Sequence, residues 1–405
     1  MRTTSNLVIL RLLITVNSSF MTKTIGKIRT SEAYSPRLKA GVRFSNTFSE
    51  GKERVVVGNF DHSFEIFHNG ARSVIELLNG SKSSEEIRMH VGISQIEFDE
   101  IIAILYSHNF LDFRQSRIVL SNRFHSSVPS IAARAKRRNV EAQDPALQLL
   151  HKRLAPELSE ITWRDGIDDG GIEVISARQD FDVVIYGTSR IAVLLYGILL
   201  GSGVTNTAMG SQGIRENEAI SHRDIGSTYL RASDVGSSFR MRLADLSKEF
   251  ALFPIPSDNK KRELKEKSLR IYVGDPTKED LSTGLISEWM RSRLDFFLVY
   301  TPQGGGIVWG PLVKPGKTPC LRCIQISRVE QGDISQFLEN DSDDCESSIA
   351  SAHEIAGHIA QELLSYIDGI DKSLVGSRTR FHSGALCNRE HITYALHPRC
   401  GCAWS

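Results

Sequence analysis

What this chain lacks narrows its function before any motif is read. It lacks a charge bias: 49 Lys+Arg stand against 48 Asp+Glu in 405 residues, a formal net charge of +1. No electrostatic surplus is available for tight, non-specific binding to nucleic acid. It lacks long apolar runs. Leu7 to Val16 (LVILRLLITV) is too short to span a bilayer, holds Arg11 at its middle and precedes no small-x-small cleavage site. A second methionine, Met21, opens the polar stretch that follows, so residues 1–44 read as an extension, disordered or upstream of the true start. A cytoplasmic protein with no membrane partner is expected. Cysteine is scarce, six residues in all, which excludes a disulfide scaffold and fits a reducing compartment. With 40% hydrophobic and 24% charged residues the chain is nonetheless a folded globular one, long enough for two or three domains.

Residues 45–122 read as a small domain. Arg54 to Val57 and Ser63 to Phe67 (SFEIF) carry strand patterning. A helix over Asn69 to Leu78 ends at Asn79-Gly80. Two capping boxes, Ser83 with Glu86 and Ser94 with Glu97, open two more helices. The third helix, Gln95 to His108, places Phe98, Ile101, Ile102, Leu105 and Tyr106 on one apolar stripe. Phe110 to Phe113 and Arg117 to Leu120 then read as a hairpin, which completes a winged helix. A DNA-reading helix needs cations, yet this third helix has no Lys or Arg and carries Glu97, Asp99 and Glu100. Nucleic acid is therefore not an expected partner. The remaining readings are an inert domain, or one that takes up a peptide as an added strand against the third helix. Phe64, Ile66, Ile102 and Tyr106 are the candidate peptide-binding residues, each also explicable as core.

Residues 123–170 read as a linker, in which Lys136-Arg137-Arg138 is a solvated charge run, Ala146 to Leu154 a short helix and Asp168-Asp169-Gly170-Gly171 a turn. Residues 171–405 read as an α/β domain. Phe181 to Tyr186 (FDVVIY) has the continuous apolarity of a buried parallel strand, and a helical stretch from Ser189 to Gly201 follows Gly187. Strand, glycine turn and helix open a nucleotide-binding unit. The phosphate loop itself is degenerate: Gly187-Thr188-Ser189-Arg190-Ile191-Ala192 keeps one glycine where G-x-G-x-x-G needs three. The next strand, Val204 to Met209, ends in Gly210-Ser211-Gln212 rather than a ribose-binding acid, and the first acid is Glu216. The fold is expected without its nucleotide, so ATP is not an expected ligand; Arg190 either meets a phosphate or is a surface residue. Strands at Leu269 to Val273, Phe296 to Tyr300 and Ile307 to Trp309 follow, with a helix at Asp280 to Arg291. Asp275, just past a strand, reads as an ordinary turn residue or a site acid.

Four cysteines carry the sharpest chemical signal. Cys320/Cys323 is a C-x-x-C pair and Cys400/Cys402 a C-x-C pair. Four thiolates make a closed tetrahedral Zn²⁺ site, and a set with no open position is structural rather than catalytic. A redox pair at Cys320/Cys323 and unconnected buried cysteines are the competing readings. Cys345 and Cys387 lack a base constellation and read as plain thiols; His353 and His358 lie on different faces of a helix from Ser348 to Ile367 and are not counted as ligands. No catalytic residue is assigned.

Together the strand-glycine-helix opening, the run from Gly310 through Lys314-Pro315-Gly316 to Cys320-Leu321-Arg322-Cys323, and the ending His397-Pro398-Arg399-Cys400-Gly401-Cys402 resemble ThiF-like proteins, relatives of ubiquitin-activating enzymes. The subgroup resembled is the leader-peptide-binding partners of YcaO cyclodehydratases, which Asp224-Ile225-Gly226-Ser227 and Ala232-Ser233-Asp234-Val235-Gly236 also resemble. The resemblance covers residues 171–405. It implies a winged helix that captures the leader of a ribosomally made precursor peptide, and a zinc-stapled domain that docks a separate, ATP-using YcaO enzyme acting on Cys, Ser or Thr. It allows a homodimer, which no residue here establishes. Catalytic relatives adenylate a carboxylate; this chain departs from their pattern at Ser189, Ile191 and Gly210, so only Cys320, Cys323, Cys400 and Cys402 carry over. An ATP-dependent adenylating enzyme acting on a peptide is the alternative.

Overall fold

The computed structural model describes residues 35–49, 52–68, 70–114, 116, 145–210, 219–226, 229–253, 267–274, 284–302, 306–333, 346–370, 373–382 and 389–402. Leu7 to Val16, Met21, Arg117 to Leu120, Lys136 to Arg138, Glu216, Asp275, Cys345 and Cys387 lie outside these residues. The chain divides into two compact units, Met1–Arg117 with Leu158–Ile172, and Ile118–Glu157 with Glu173–Ser405.

In the first unit β2 (Arg43–Ser49), β3 (Lys52–Gly58) and β4 (Ser63–Ile66) form an antiparallel sheet in that order. Alternation along β3 and β4 sends Val55, Val57 and Ile66 inward. Helices α1 (Ala71–Leu77), α2 (Ser84–Val91) and α3 (Gln95–Ser107) close over that face, contributing Val74, Ile75, Ile87, Phe98, Ile101 and Leu105. Both expected capping boxes form: Glu86 and Glu97 each accept from the cap residue's amide, which holds both carboxyls below their usual range.

Two readings change here. Residues 35–44, assigned to the extension, are built into this unit as β1 (Arg37–Leu38) and the opening of β2. Of the expected hairpin, Phe110 to Phe113 supplies β5 (Leu111–Asp112), which pairs antiparallel with β1; the second arm lies outside the described residues. Residues 158–172, within the presumed linker, pack with this unit. The physical reason is Lys39: 2% exposed, it donates to Asn109 Oδ1 (2.6 Å), Thr162 O (2.6 Å) and Ile167 O (2.8 Å), so its three donors join three stretches of chain. Burial, partly offset by Asp112 and its acidic neighbours, lowers the Lys39 pKa.

The division between the units falls within the residues of α4 (Pro145–Ile161), and α5 (Ile172–Ala177) precedes the main sheet. That sheet has seven strands in the order β12-β11-β10-β9-β8-β6-β7: β6 (Asp182–Tyr186), β7 (Asn206–Met209), β8 (Ser268–Val273), β9 (Phe296–Tyr300), β10 (Gly306–Val313), β11 (Ser377–His382) and β12 (Arg389–Thr393). The four strands from β7 to β9 are parallel and the remainder antiparallel. One face is covered by α6 (Arg190–Gly201), α7 (Phe239–Phe250) and α10 (Ile349–Ile367), the other by α8 (Leu285–Arg291) and α9 (Leu321–Glu330). Trp309 is fully buried between strands and α10 and donates its indole N–H to Glu362 (2.8 Å). This is a mixed α/β sheet compatible with a Rossmann-like fold. Among the described residues no helix is long and apolar enough to cross a membrane.

Candidate functional site

The first unit offers a strand edge. β4 pairs only with β3, so its outer edge is unpaired among the described residues. Phe64 stacks on His108, beyond the end of α3, with ring centroids 3.9 Å apart. At the other end His68 lies 3.9 Å from Glu97, in the first turn of α3. These two contacts run β4 antiparallel alongside α3. His62 and Phe110 join the Phe64–His108 stack, at 4.9 Å from each other, and burial together with His62 lowers the His108 pKa.

The four residues expected to line a peptide groove separate here. Ile66 and Ile102 are 1% and 3% exposed, closed within the core, and offer no surface to a ligand. Tyr106 is exposed but lies on the opposite side of α3 from Glu97, against Phe113 at 5.3 Å. Phe64 alone stands at the junction of β4 and α3. Two apolar side chains not counted among the groove candidates are exposed near this edge: Phe60 (103%) at the β3–β4 turn and Phe67 (66%), partly covered by the Arg54 guanidinium 4.6 Å from its ring centre.

The second unit places its crevice where strand order reverses, outside the carboxyl ends of β6 and β8. Gly187 sits there with φ 131°, and any Cβ at this position would overlap the Val273 carbonyl at the end of β8. Its glycine is thus accounted for by strand packing alone. Ser189 caps α6 through the Ala192 amide (3.4 Å). Gly210, where a ribose acid was sought, has its Cβ position filled by the Tyr186 ring, which also packs on Trp289 at 5.0 Å. An acidic side chain therefore has no room. Arg190 is half-buried, and its guanidinium donates to Ser347 O (2.8 Å) and Arg223 O (3.2 Å).

The four expected cysteines come together. Their sulfurs lie within 4.8 Å of one another, with Cys320–Cys400 and Cys323–Cys402 at 3.4 Å and Cys320–Cys323 at 3.9 Å. These separations exceed a disulfide bond and bracket the roughly 3.8 Å that tetrahedral sulfurs adopt around a zinc ion with bonds of about 2.3 Å. The cluster can hold such a metal. Local structure builds it: Cys320 is the N-cap of α9 and Cys323 lies in its first turn, while Gly401, at φ 76°, turns Cys402 back toward the pair. Burial pushes the Cys320 thiol up and Cys402 up to about 11; the Cys323 thiol is lowered despite burial, because the amides of His397 and Cys320 donate to it. His397 and Arg399 both engage Glu330 at the end of α9, so the tail is fastened at two points.

No family model and no curated protein matches the chain. Solved structures do. E. coli MccB crystallised with MccA-N7isoASN matches with a TM-score of 0.59 at 14% identity, covering 91% of this chain and 99% of that one. The structure described as the microcin C7 biosynthetic enzyme MccB in complex with N-formylated MccA gives the same values, and E. coli MccB with ATP a TM-score of 0.56 at 14% identity over the same shares. The heterocyclase TruD matches with a TM-score of 0.50 at 13% identity, over 91% of this chain but 43% of that one. Along nearly its whole length this chain has the fold of MccB, as its ThiF-like resemblance leads one to expect.

Proposed function

We propose that this chain binds the leader of a ribosomally made precursor peptide and presents it to a separate YcaO-type cyclodehydratase. The leader adds as a strand to β4 beside α3; the second unit is the scaffold, with a structural Zn²⁺ on Cys320, Cys323, Cys400 and Cys402. The partner supplies the ATP-dependent loss of water that closes Cys, Ser or Thr side chains onto the preceding carbonyl. The observation that carries this reading is the unpaired β4 edge running alongside α3. Two fold neighbours described as a microcin biosynthetic enzyme and a heterocyclase support a peptide substrate. The shortfall against TruD supports a partner chain, since more than half of that heterocyclase has no counterpart here. Presentation needs no chemistry in this chain, because tethering alone raises the concentration the enzyme meets.

A second reading, an adenylating enzyme, is favoured by one observation: MccB, of the same fold, has been solved with ATP. Calorimetry with a synthetic leader peptide and with Mg²⁺-ATP separates the two. The presenter reading expects peptide binding with no ATP–pyrophosphate exchange, and amide exchange slowed by peptide at residues 63–66 and 95–107. Exchange activity, or protection elsewhere in the chain, overturns it.

A further inference from the structure

Helix α6 opens into the crevice at the sheet's switch point, the position at which this architecture receives an anionic ligand. Its first amide is already engaged: Arg190 N donates to the carboxylate of Glu346 at 3.2 Å. Glu346 comes from a segment far along the sequence that continues through Ser347 to Ser348, the N-cap of α10. The same segment accepts a second bond, from the Arg190 guanidinium to Ser347 O at 2.8 Å, and Arg223 O accepts the other terminal nitrogen. Gly226 is pressed against Ile349 and Arg190 so closely that a Cβ there would lie 2.9 Å from the Ile349 side chain. Two remote stretches of chain thus meet over the start of α6. Among them Arg190 Nε is buried without a hydrogen-bond partner, a donor whose natural complement is an oxyanion.

We propose that Glu346 is an internal anion standing where a phosphate would bind, so that residues 346–348 act as an autoinhibitory strap across the crevice. This rests on the presenter reading. A carboxylate at a helix amino terminus is favoured by the exposed N–H groups and the helix dipole. Because it is tethered, it competes at an effective concentration that a free ligand must exceed. The contact itself is exposed, so its removal changes anion affinity on the order of tenfold rather than by many decades. The strap has two components with separable roles: Glu346 supplies the charge, and the backbone of Ser347 ties down the cation that would otherwise face the ligand.

The test is a calorimetric titration of inorganic pyrophosphate, and separately of Mg²⁺-ATP, into the full chain and its Glu346→Ala and Glu346→Gln variants at low ionic strength. Melting midpoints serve as the check on folding, and the exposed position of Glu346 predicts little change in them. The strap expects Glu346→Ala to bind pyrophosphate about tenfold tighter than the native chain, with Glu346→Gln between the two. Equal affinity across all three, or none in any, overturns the strap and leaves the presenter reading standing. ATP–pyrophosphate exchange by the native chain overturns both, and is read in a separate assay, so the two failures are distinguishable.

Discussion

Asp368→Ala removes the partner of a deeply buried cation in the second unit. Arg178, 2% exposed, makes a forked pair with Asp368, Nε to Oδ1 at 2.8 Å and Nη2 to Oδ2 at 2.7 Å, and the Asp368 side chain is wholly buried. Arg178 leads into β6 and Asp368 caps the end of α10, so the pair joins the sheet's first strand to the helix over it. Breaking a buried pair from one side leaves an uncompensated charge and costs about 3–5 kcal/mol. Here the guanidinium keeps Ser202 O at 2.7 Å and Glu157 at 3.5 Å, which sets the expectation at the lower end, about 3 kcal/mol. For a unit of this size that is a fall of roughly 6–12 °C in its melting temperature. Scanning calorimetry of the metal-loaded chain reads it, and the first unit's transition is expected to stay in place. A loss below about 1 kcal/mol refutes the reasoning. So does a paired Arg178→Met, Asp368→Leu variant no more stable than either single change, since matched apolar replacement of a buried pair is close to neutral.

Stripping metal with a chelator is expected to lower the second unit's melting temperature, and Cys400→Ser to reproduce the loss; unchanged melting with no zinc by elemental assay refutes a structural metal. His108 and His358 both titrate below the ordinary 6.5, lowered by burial and then by His62 and Arg389 respectively. The unfolded chain therefore takes up their protons first, so stability is complete above about pH 6.5 and declines as pH falls through the folded values. A flat or rising denaturation profile between about pH 7 and 5 contradicts this. Ser94→Ala, which removes the cap of α3, is expected to cost about 1 kcal/mol in urea titration, and a change within a few tenths refutes the capping assignment.

What could be read in the sequence was what depends on near neighbours. The capping boxes at Ser83 and Ser94, the apolar stripe of α3 and the FDVVIY strand each declare themselves within a few residues, and each forms. The cysteine pairs were legible because thiolate spacing is chemistry independent of fold. Pairings between remote segments were not. Glu346 lies in a run of Asp, Glu and Ser that looks only like solvated loop, and nothing local connects it to Arg190. Ile66 and Ile102 were assigned to a groove because a periodic stripe marks a buried face without saying whether core or ligand buries it. Strands β11 and β12 escaped because the first buries polar side chains, Arg378 among them, in place of an apolar alternation, and the second is almost wholly exposed.

Lys39 has a temporal consequence. Its ammonium needs the carbonyls of Thr162 and Ile167, so the first unit cannot finish folding until that later stretch has left the ribosome. Until then the Lys39 ammonium lacks those two acceptors and must stay solvated, while α4 is being made. Cutting the gene after residue 122 would freeze the molecule in that unfinished state, whereas a split placed in 117–144 with both pieces supplied would let the later stretch dock in trans.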